Sequence, residues 1–470
     1  MSLVFYDTET TGLDPFFDQV LHFAAIQTDT DLKEIDRFNM RSRLLPHVVP
    51  APSAMLINRM SASQLTDPSI PSHYEMVRAM RAKLLEWSPS LFLGWNSLGF
   101  DENLVRQALY QTLHNPYLTS NNGNSRSDVM RMARACSIFA PAALTIPIED
   151  GRKIFRLHEV ARANGFKQGR EHDAVGDVEA TIFLCRLIME EALEVWSSFM
   201  RFSKKAAVVD YIREEPAFCL SGFSQGEPFS CIATTIGQNQ KNKAEWYVYD
   251  LNVDPKSLLR LSHADLAARL AEAPEPVRRM KSNAAPVLFP AEDAPGICAG
   301  RKLRPKELEG RVKTLEADTN LRERLISVFE SLRDEYPASP HVEKQIYDGF
   351  IQDADEDLMD AFHAADWSKR KAIVGKFGDP RLKTIGMQLI HLERPDLLDK
   401  PMRLAHHLAA TTRLLGQGED ISWLTLPEAL EQLEVMLAAA PGTELKFLRE
   451  HAQYLRERHK EALAHVNSSR

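Results

Sequence analysis

The chain has 470 residues, too many for one ordinary hydrophobic core, and its 44% hydrophobic and 26% charged residues are typical of a globular protein of two to four domains. It has no apolar run of the roughly 20 residues that span a membrane, no secretory signal at its start and no C-x-x-C pair among its five cysteines. We therefore expect a cytoplasmic protein without a membrane segment, a disulfide framework or a zinc site, whereas the net charge of −8 does not exclude nucleic-acid binding, since bound cations reverse the local charge of a carboxylate cluster.

Residues 1 to about 198 alternate between strand-like and helix-like segments. The strands are predicted at LVFYD, QVLHFAAIQTD and LFLGWN, and the helices at DENLVRQALYQTL, SDVMRMARACSIF, RLHEVARANG and AVGDVEATIFLCRLIMEEALEVW. The last of these has apolar residues every three or four positions and is predicted as one long helix. This alternation predicts an α/β layer structure.

The rest of the chain divides into two parts of different character. From about 199 to 337, the segments PAFCLSG, FSCIATTI and EWYVYDLN have the β-branched and aromatic composition of short strands, which predicts a small β-barrel with appended helices. From about 338 onward the segments are amphipathic and helical. We therefore predict domains at 1–198, 199–337 and 338–470.

Two carboxylates lie on the first predicted strand, in the segment FYDTETTGLD. Side chains at i and i+2 of a strand project from the same face, so Asp7 and Glu9 are expected to point together, about 7 Å apart. Two such acids repel each other unless a cation lies between them. The alternative is a strand end at the surface whose acids are solvated.

Three further polar residues follow on later elements. Asp101 comes directly after the strand LFLGWN, and His172 and Asp177 precede or begin the long predicted helix. Taken singly, each has a structural explanation: Asp101 as a helix cap, Asp177 as a partner of the helix dipole and His172 as an exposed loop residue. Their combination with Asp7 and Glu9, in this order, indicates a shared site.

This set of motifs resembles a known family. D-x-E, then N-x-x-x-F-D after a strand, then H-D-A-x-x-D are similar to the three motifs of the DEDDh 3′–5′ exonuclease superfamily. Longer segments resemble the bacterial exodeoxyribonuclease I family within it, namely FDENLVRQALYQTLHNPY, NSRSDVMRMARAC, IFRLHEVARANG, EHDAVGDVEATI and HVEKQIYDGFIQDAD. The resemblance implies an RNase H-like exonuclease domain, an SH3-like β-barrel domain and a C-terminal α-helical domain.

The resemblance also implies a chemistry. Asp7, Glu9, Asp101 and Asp177 would hold two Mg²⁺ ions, with Mn²⁺ tolerated, and His172 would act as the general base. The reaction would be processive 3′–5′ hydrolysis of single-stranded DNA to 5′-mononucleotides, in DNA repair and recombination.

Substrate contacts are implied for a further set of residues: Glu9, Arg156, Arg106, Tyr117 and Arg134. For the last three, an ordinary place on a helix surface or core edge remains an open alternative. Six cations of the middle domain are candidates for a DNA groove, with a solvated surface as the alternative; they are Lys241, Lys243, Arg301, Lys302, Arg304 and Lys306.

Two departures from the family pattern concern the substrate and a partner. Arg59 stands in LINRMSASQL where many relatives have glycine, and Ser61 with Gln64 predicts a capping box directly after it. After Arg134, its first residue, the segment RACSIFAPAAL lacks a basic residue where the family helps to receive the acidic C-terminal tail of single-stranded DNA-binding protein. That partner is therefore expected from the family but weakened by this sequence, and a monomer is expected.

Other functions remain possible on the same motifs. An exoribonuclease or a polymerase proofreading subunit would share the active site, but such proteins are typically shorter than this chain. A catalytically inert nucleic-acid-binding scaffold usually loses one of the metal-binding acids, and this chain keeps all of them.

Overall fold

The computed structural model describes residues 2–167, 173–224, 227–296, 298, 302–333, 339–418 and 420–469. Within these ranges the strands are β1 (Ser2–Thr10), β2 (Val20–Thr28), β3 (Glu34–Arg41), β4 (Ser90–Leu93), β5 (Ser125–Arg126), β6 (Ile148–Glu149), β7 (Arg152–Lys153), β8 (Phe218–Ser224), β9 (Glu227–Gln238), β10 (Glu245–Asp250), β11 (Val277–Lys281) and β12 (Val287–Pro290).

The α-helices divide between the three parts of the chain. The first part contains α1 (Pro52–Asn58), α2 (Ala62–Thr66), α3 (His73–Glu86), α4 (Asp101–Gln111), α5 (Val129–Phe139), α6 (Leu157–Ala163), α7 (Ala174–Glu191) and α8 (Leu193–Phe202). The middle part contains α9 (Lys205–Glu214), α10 (His263–Ala271), α11 (Pro305–Ala317) and α12 (Thr319–Ser331). The last part contains α13 (Asp353–Ala364), α14 (Trp367–Val374), α15 (Pro380–Glu393), α16 (Lys400–Leu414), α17 (Leu426–Ala439) and α18 (Gly442–Ser469).

The first part is built on a mixed five-stranded sheet in the order β3-β2-β1-β4-β5. The β1–β2 and β2–β3 pairs are antiparallel, whereas the β1–β4 and β4–β5 pairs are parallel. Parallel pairing brings the carboxyl ends of β1 and β4 to the same edge of the sheet. This arrangement confirms the predicted RNase H-like α/β layer.

Strand β1 is buried on both faces, and its two faces pack against different helices. Leu3 and Phe5 belong to the core beneath α5, α6 and α7, whereas Val4 and Tyr6 belong to the core beneath α3 and α4. Since side chains alternate along a strand, Asp7 and Glu9 continue the face of Leu3 and Phe5. They are therefore directed toward the side of the sheet on which α7 packs.

The helix predicted over residues 174–196 is interrupted. The backbone leaves the helical conformation at Ala192, with φ −142° and ψ 54°, and α8 begins at the next residue. Neither side of the break carries glycine or proline, so propensity does not explain it. Helix α8 packs Trp196 and Phe199 into the core and joins its Ser198 hydroxyl to the Leu288 carbonyl, so tertiary packing redirects the chain here.

The middle part contains a five-stranded antiparallel sheet in the order β11-β10-β9-β8-β12. One face packs on α8 and α9 through Leu220 and Trp246, and the other packs on α10, α11 and α12 through Tyr247 and Tyr249. The strands predicted at PAFCLSG, FSCIATTI and EWYVYDLN lie in β8, β9 and β10. The SH3-like closure of this sheet into a barrel stays a prediction, as do the exact domain boundaries.

The last part is helical throughout its described residues. Helices α13 to α15 share a hydrophobic core with α3 and α4, to which Tyr74, Tyr110, Leu113 and Phe362 contribute. Helix α18 reaches back to α1 and α2 through Phe447 and Tyr454. Within the described ranges, every helix is too short or too polar to cross a lipid bilayer. The five cysteines, all in described positions, are buried thiols.

Candidate active site

Three predicted site residues converge at the edge of the first sheet. Carboxylate oxygens of Asp7, Glu9 and Asp177 all lie within 4.8 Å of one another. Strand β1 supplies Asp7 and Glu9 from one face, and α7, which packs on that face, supplies Asp177 from its first turn. The amphipathic pattern of α7 therefore places its acid against the strand.

The fourth acid, Asp101, is anchored beside this group. It is the first residue of α4, and its Oδ1 accepts hydrogen bonds from the Thr8 backbone N–H at 3.0 Å and the Thr8 hydroxyl at 2.6 Å. Thr8 lies between Asp7 and Glu9, so the bonds tie the N-terminus of α4 to the carboxyl end of β1. The parallel β1–β4 pairing makes this approach possible, because α4 follows β4.

The four acids repel one another in a buried setting. Burial raises the pKa of Asp7 well above its usual range, and the charges of Asp101, Asp177 and Glu9 raise it further. Burial, followed by the charges of Asp177 and Asp101, raises the pKa of Glu9 to about 8. Burial also raises the pKa of Asp101 to about 7, against the hydrogen bonds from Thr8. The protein alone therefore compensates these carboxylates incompletely.

This donor set fits divalent cations. Carboxylate oxygens are the ligands that hard cations such as Mg²⁺ prefer. Within the part of the chain that the structure describes, Asp7, Glu9 and Asp177 form the group of three potential ligands with mutually close donor atoms. A bound cation would remove the repulsion that raises the pKa values of these acids.

Two cationic or basic side chains at the site were not predicted. The His158 Nε2 lies 3.6 Å from an Asp177 carboxylate oxygen, and an Arg41 guanidinium nitrogen lies 3.8 Å from Asp173 at the start of α7. His158 lies in the segment RLHEVARANG. The sequence analysis predicts a helix there and uses the segment for the family resemblance, but it assigns His158 no role. A single histidine in an amphipathic helix has no spacing signal, and the pairing depends on how α6 packs on α7.

The predicted general base, His172, lies outside the described residues. Its neighbour Asp173 is the N-cap residue of α7, four positions before Asp177. The predicted proton-accepting role of His172 therefore stays a prediction.

Arg156 lies at the border of the site. It occupies the N-cap position of α6 without a capping hydrogen bond, two residues before His158, and 62% of its side chain is exposed. Its guanidinium forms ion pairs with Glu159 at 2.5 Å and Glu149 at 3.3 Å. Both pairs are solvent-exposed and therefore weak, so the guanidinium can exchange them for a phosphate.

Arg106 and Tyr117 are close to each other on the other side of Asp101. The Arg106 guanidinium lies 5.3 Å from the centre of the Tyr117 ring, and its Nε donates to Glu102 at 2.9 Å. The Tyr117 ring in turn lies 6.0 Å from the ring of Phe350, which is 80% exposed. Arg106 and Tyr117 thus pack against neighbouring side chains and are also partly exposed. The structure therefore does not decide between a substrate contact and an ordinary place at the edge of the core.

Arg134 lines a cavity of about 750 Å³ between α5 and the middle sheet. Three arginines of its wall stack on phenylalanines: Arg134 on Phe223 at 3.7 Å, Arg278 on Phe229 at 4.2 Å and Arg279 on Phe329 at 4.5 Å. The lining also includes Arg131 and Lys281, opposed by Glu245 and Glu275. The cavity wall is therefore cationic and aromatic.

The arginines of β11 were missed by the sequence analysis. Of the groove cations predicted from the sequence, Arg301 lies outside the described residues. The other five do not line this cavity: Lys241, Lys243, Lys302, Arg304 and Lys306. The alternation of side chains along the strand VRRMK could have indicated that one of its arginines faces the cavity. The pattern does not show which of the two consecutive arginines does so.

Both departures from the family pattern fall on residues that the structure describes. Arg59 ends α1 in the left-handed region, with φ 51°, where glycine is favoured. The predicted capping box of Ser61 and Gln64 at the start of α2 is confirmed. At the end of α5, in the segment that lacks a basic residue after Arg134, Phe139 stacks on Phe289 with ring centres 4.0 Å apart.

Comparisons with known proteins agree with this geometry. A family model described as an exonuclease matches residues 4–184, and one described as the exonuclease I C-terminal domain matches residues 340–458. Exodeoxyribonuclease I of Haemophilus influenzae is 27% identical over 376 residues, covering 76% of this chain and 79% of that protein. Exodeoxyribonuclease I of Escherichia coli is 27% identical over 465 residues, covering 93% and 96%.

A solved structure shares the whole fold. The crystal structure of E. coli exonuclease I in complex with a dA16 oligonucleotide superposes with a TM-score of 0.84 at 22% identity, covering 97% of this chain and 99% of that chain. The similarity extends over the first sheet, the middle sheet and the C-terminal helices together. The chain is therefore similar to bacterial exodeoxyribonuclease I over nearly its whole length, with an exonuclease domain at residues 4–184.

Proposed function

We propose that the protein removes nucleotides from the 3′ end of single-stranded DNA by metal-dependent phosphodiester hydrolysis, releasing 5′-mononucleotides. The observation that carries this proposal is the convergence of Asp7, Glu9 and Asp177 within 4.8 Å, with Asp101 anchored beside them. Burying several carboxylates together is unfavourable, because they repel one another and lose their hydration. Cations bound between them would offset that cost.

The acids would hold two Mg²⁺ ions, with Mn²⁺ tolerated, through Asp7, Glu9, Asp101 and Asp177. Bound there, the ions would supply Lewis-acid stabilisation of the negative charge that develops on the phosphate and the departing 3′ oxygen. Glu9 would also contact the substrate. The Thr8 hydrogen bonds keep Asp101 oriented as its charge is compensated.

His172 would take the proton of the attacking water on an imidazole nitrogen. An imidazole with an ordinary pKa near 6.5 is suited to accept a proton at neutral pH. His158, 3.6 Å from Asp177, would limit the rotation of that carboxylate. Arg156 would exchange its exposed ion pairs for the phosphate next to the scissile bond.

The path of the strand would lead away from the acids along cationic and aromatic side chains. Arg106 and Tyr117 lie beside Asp101, and the cavity of Arg134, Arg278 and Arg279 follows between α5 and the middle sheet. Arginines stacked on phenylalanines offer phosphate donors and flat faces for bases, which suits a single strand of any sequence. The E. coli relative was crystallised with a dA16 oligonucleotide, which supports single-stranded DNA as the substrate class.

The wider setting follows from the same assignment. We propose the domain division 1–198, 199–337 and 338–470, a monomer, processive action supported by the many contacts of the groove, and a role in DNA repair and recombination in the cytoplasm. Binding of the acidic C-terminal tail of single-stranded DNA-binding protein is retained as a prediction, although the end of α5 offers Phe139 and no basic residue in the expected segment.

The test is release of mononucleotides from a 3′-labelled single-stranded DNA oligonucleotide, with and without Mg²⁺. Asp177→Ala should abolish release, because it removes one of the three converging carboxylates. Asp210→Ala, on the exposed face of α9, is the matched control and should retain full activity. A matched RNA strand and a 3′-blocked strand should both be poor substrates. Equal activity of the parent and Asp177→Ala would refute the site, and preferred hydrolysis of RNA would refute the substrate.

A further inference from the structure

A second charged cluster lies directly behind Asp101. Glu102 is 2% exposed, and its carboxylate accepts four hydrogen bonds. Oε2 accepts from the Tyr6 hydroxyl at 3.0 Å. Oε1 accepts from the Thr119 hydroxyl at 2.6 Å, from Arg126 Nη1 at 2.7 Å and from Arg106 Nε at 2.9 Å.

This cluster contains two guanidinium groups and one carboxylate. The Arg126 side chain is 9% exposed and the Arg106 side chain is 13% exposed, so water screens neither of them well. Because both nitrogens bond to the same oxygen, they lie less than about 6 Å apart. The cluster therefore has a net charge of +1, whereas Arg106 with Glu102 alone would be neutral.

Arg106 is the member of the cluster that faces the proposed substrate path. Its guanidinium lies over the Tyr117 ring at 5.3 Å and hydrogen-bonds the side chain of Tyr347, in the last part of the chain. Arg126, on β5, is farther inside and is held by Glu102 at 2.7 Å. A neutral Arg106–Glu102 pair would attract a phosphate weakly, since the carboxylate cancels the cation at short range.

We propose that Arg126 is a positioning residue that supplies the charge by which Arg106 binds a phosphate of the substrate strand, without itself touching the strand. Glu102 fixes both guanidinium groups, and Arg126 offsets the charge of Glu102 so that Arg106 remains effectively cationic. This inference rests on the proposed function, because it requires a nucleic-acid strand beside Arg106. It assigns part of the substrate affinity to a buried residue.

The expected effect follows from Coulomb's law. A unit charge about 10 Å from a phosphate, at an effective dielectric constant of about 20 to 40, changes affinity by a factor of about 4 to 16. Arg126→Gln should therefore raise the Kd and the KM for single-stranded DNA by about tenfold. The kcat at saturating substrate should stay within about twofold, since Arg126 contacts none of the four acids in the described structure.

The experiment measures Kd for a fluorescent single-stranded DNA oligonucleotide in EDTA, where no turnover occurs, and then KM and kcat with Mg²⁺. Arg126→Lys keeps the charge and should bind like the parent. The double substitution Glu102→Gln with Arg126→Gln restores the net charge of +1 and should bind within about threefold of the parent, which tests the charge argument even if the single variant does not fold. Arg311→Gln, in an ion pair with Glu307 in the middle part, is the matched control.

Several outcomes would overturn the inference. Binding by Arg126→Gln within twofold of the parent would do so, as would binding by Arg126→Lys that is as weak as by Arg126→Gln. Weakening of more than tenfold in the double variant would show that the charge balance is irrelevant. If the parent neither binds nor degrades the oligonucleotide, the proposed function itself is wrong, whereas a parent that does both isolates the failure to Arg126.

Discussion

Replacing Glu9 with Gln should stabilise the metal-free protein at neutral and higher pH. Glu9 is buried, and one of its carboxylate oxygens lies within 4.8 Å of an oxygen of Asp7 and of Asp177. Burial and the charges of Asp177 and Asp101 raise the pKa of Glu9 to about 8. A carboxylate whose folded pKa is raised is less favourable as an anion in the folded protein than in the unfolded chain. The isosteric amide removes that charge and keeps the volume.

The magnitude follows from the two pKa values. One pKa unit corresponds to about 1.4 kcal/mol, so a carboxylate with a pKa of 4.5 unfolded and about 8 folded costs the folded state about 3 kcal/mol at pH 7. The stabilisation of the protonated form is complete below about pH 4.5 and is lost as the pH rises through about 8. For a chain of this length, about 3 kcal/mol shifts the Tm by about 3 °C.

The assay is the Tm of the parent and of Glu9→Gln in EDTA from pH 5 to pH 8.5. The Tm difference in favour of the variant should be near zero at pH 5 and should grow to about 3 °C toward pH 8. Added Mg²⁺ should raise the Tm of the parent more than that of the variant, because cations stabilise the state that binds them. Glu190→Gln, exposed on α7, is the control and should show no pH-dependent difference.

Two results would refute this reasoning. A variant less stable than the parent at pH 8 in EDTA would mean that the Glu9 carboxylate makes net favourable contacts. A Tm difference that is constant from pH 5 to pH 8.5 would mean that packing, and not charge, separates the two proteins.

Three further predictions concern other parts of the structure. Arg59→Gly should raise the free energy of unfolding by about 0.5–1 kcal/mol, since φ is 51° at this position, whereas Arg59→Ala should give no gain in a denaturant titration. Gly94→Ala should cost about 1–3 kcal/mol and lower nuclease activity, because a Cβ there would lie 2.7 Å from the Tyr6 carbonyl oxygen, one residue before Asp7; an unchanged Tm would contradict this. Phe362→Ala should cost about 3–5 kcal/mol by leaving a cavity in the core shared with α4, and Phe350→Ala, at a position 80% exposed, should leave the denaturation midpoint unchanged.

The acids of the site were predictable because their positions follow from short-range rules. Alternation along β1 places Asp7 and Glu9 on one face, and the parallel pairing expected of an α/β layer brings the residue after β4 to the same edge. Helical periodicity directs Asp177 back toward that edge. Each of these inferences uses either the spacing of residues within one element or the order of neighbouring strands. Both can be read from the sequence.

The supporting contacts were not predictable, because they depend on packing between distant segments. His158 reaches Asp177 only through the docking of α6 on α7, and Arg126 of β5 reaches Glu102 of α4 only because the two elements pack together. The break at Ala192 has no glycine or proline to mark it. In each case the residue types are ordinary, and the partner is fixed by tertiary structure that local pattern does not encode.

The burial of Tyr110 and Leu113 beneath the C-terminal helices has a consequence for how the enzyme can be shortened. Helix α4 carries Asp101 at its first turn, while the opposite end is covered by α13 to α15 through these two residues. Deleting the C-terminal helices would leave α4 with an exposed apolar end, prone to fraying and aggregation. A shortened protein would need polar residues in place of Tyr110 and Leu113. The C-terminal helices therefore stabilise the first part of the chain.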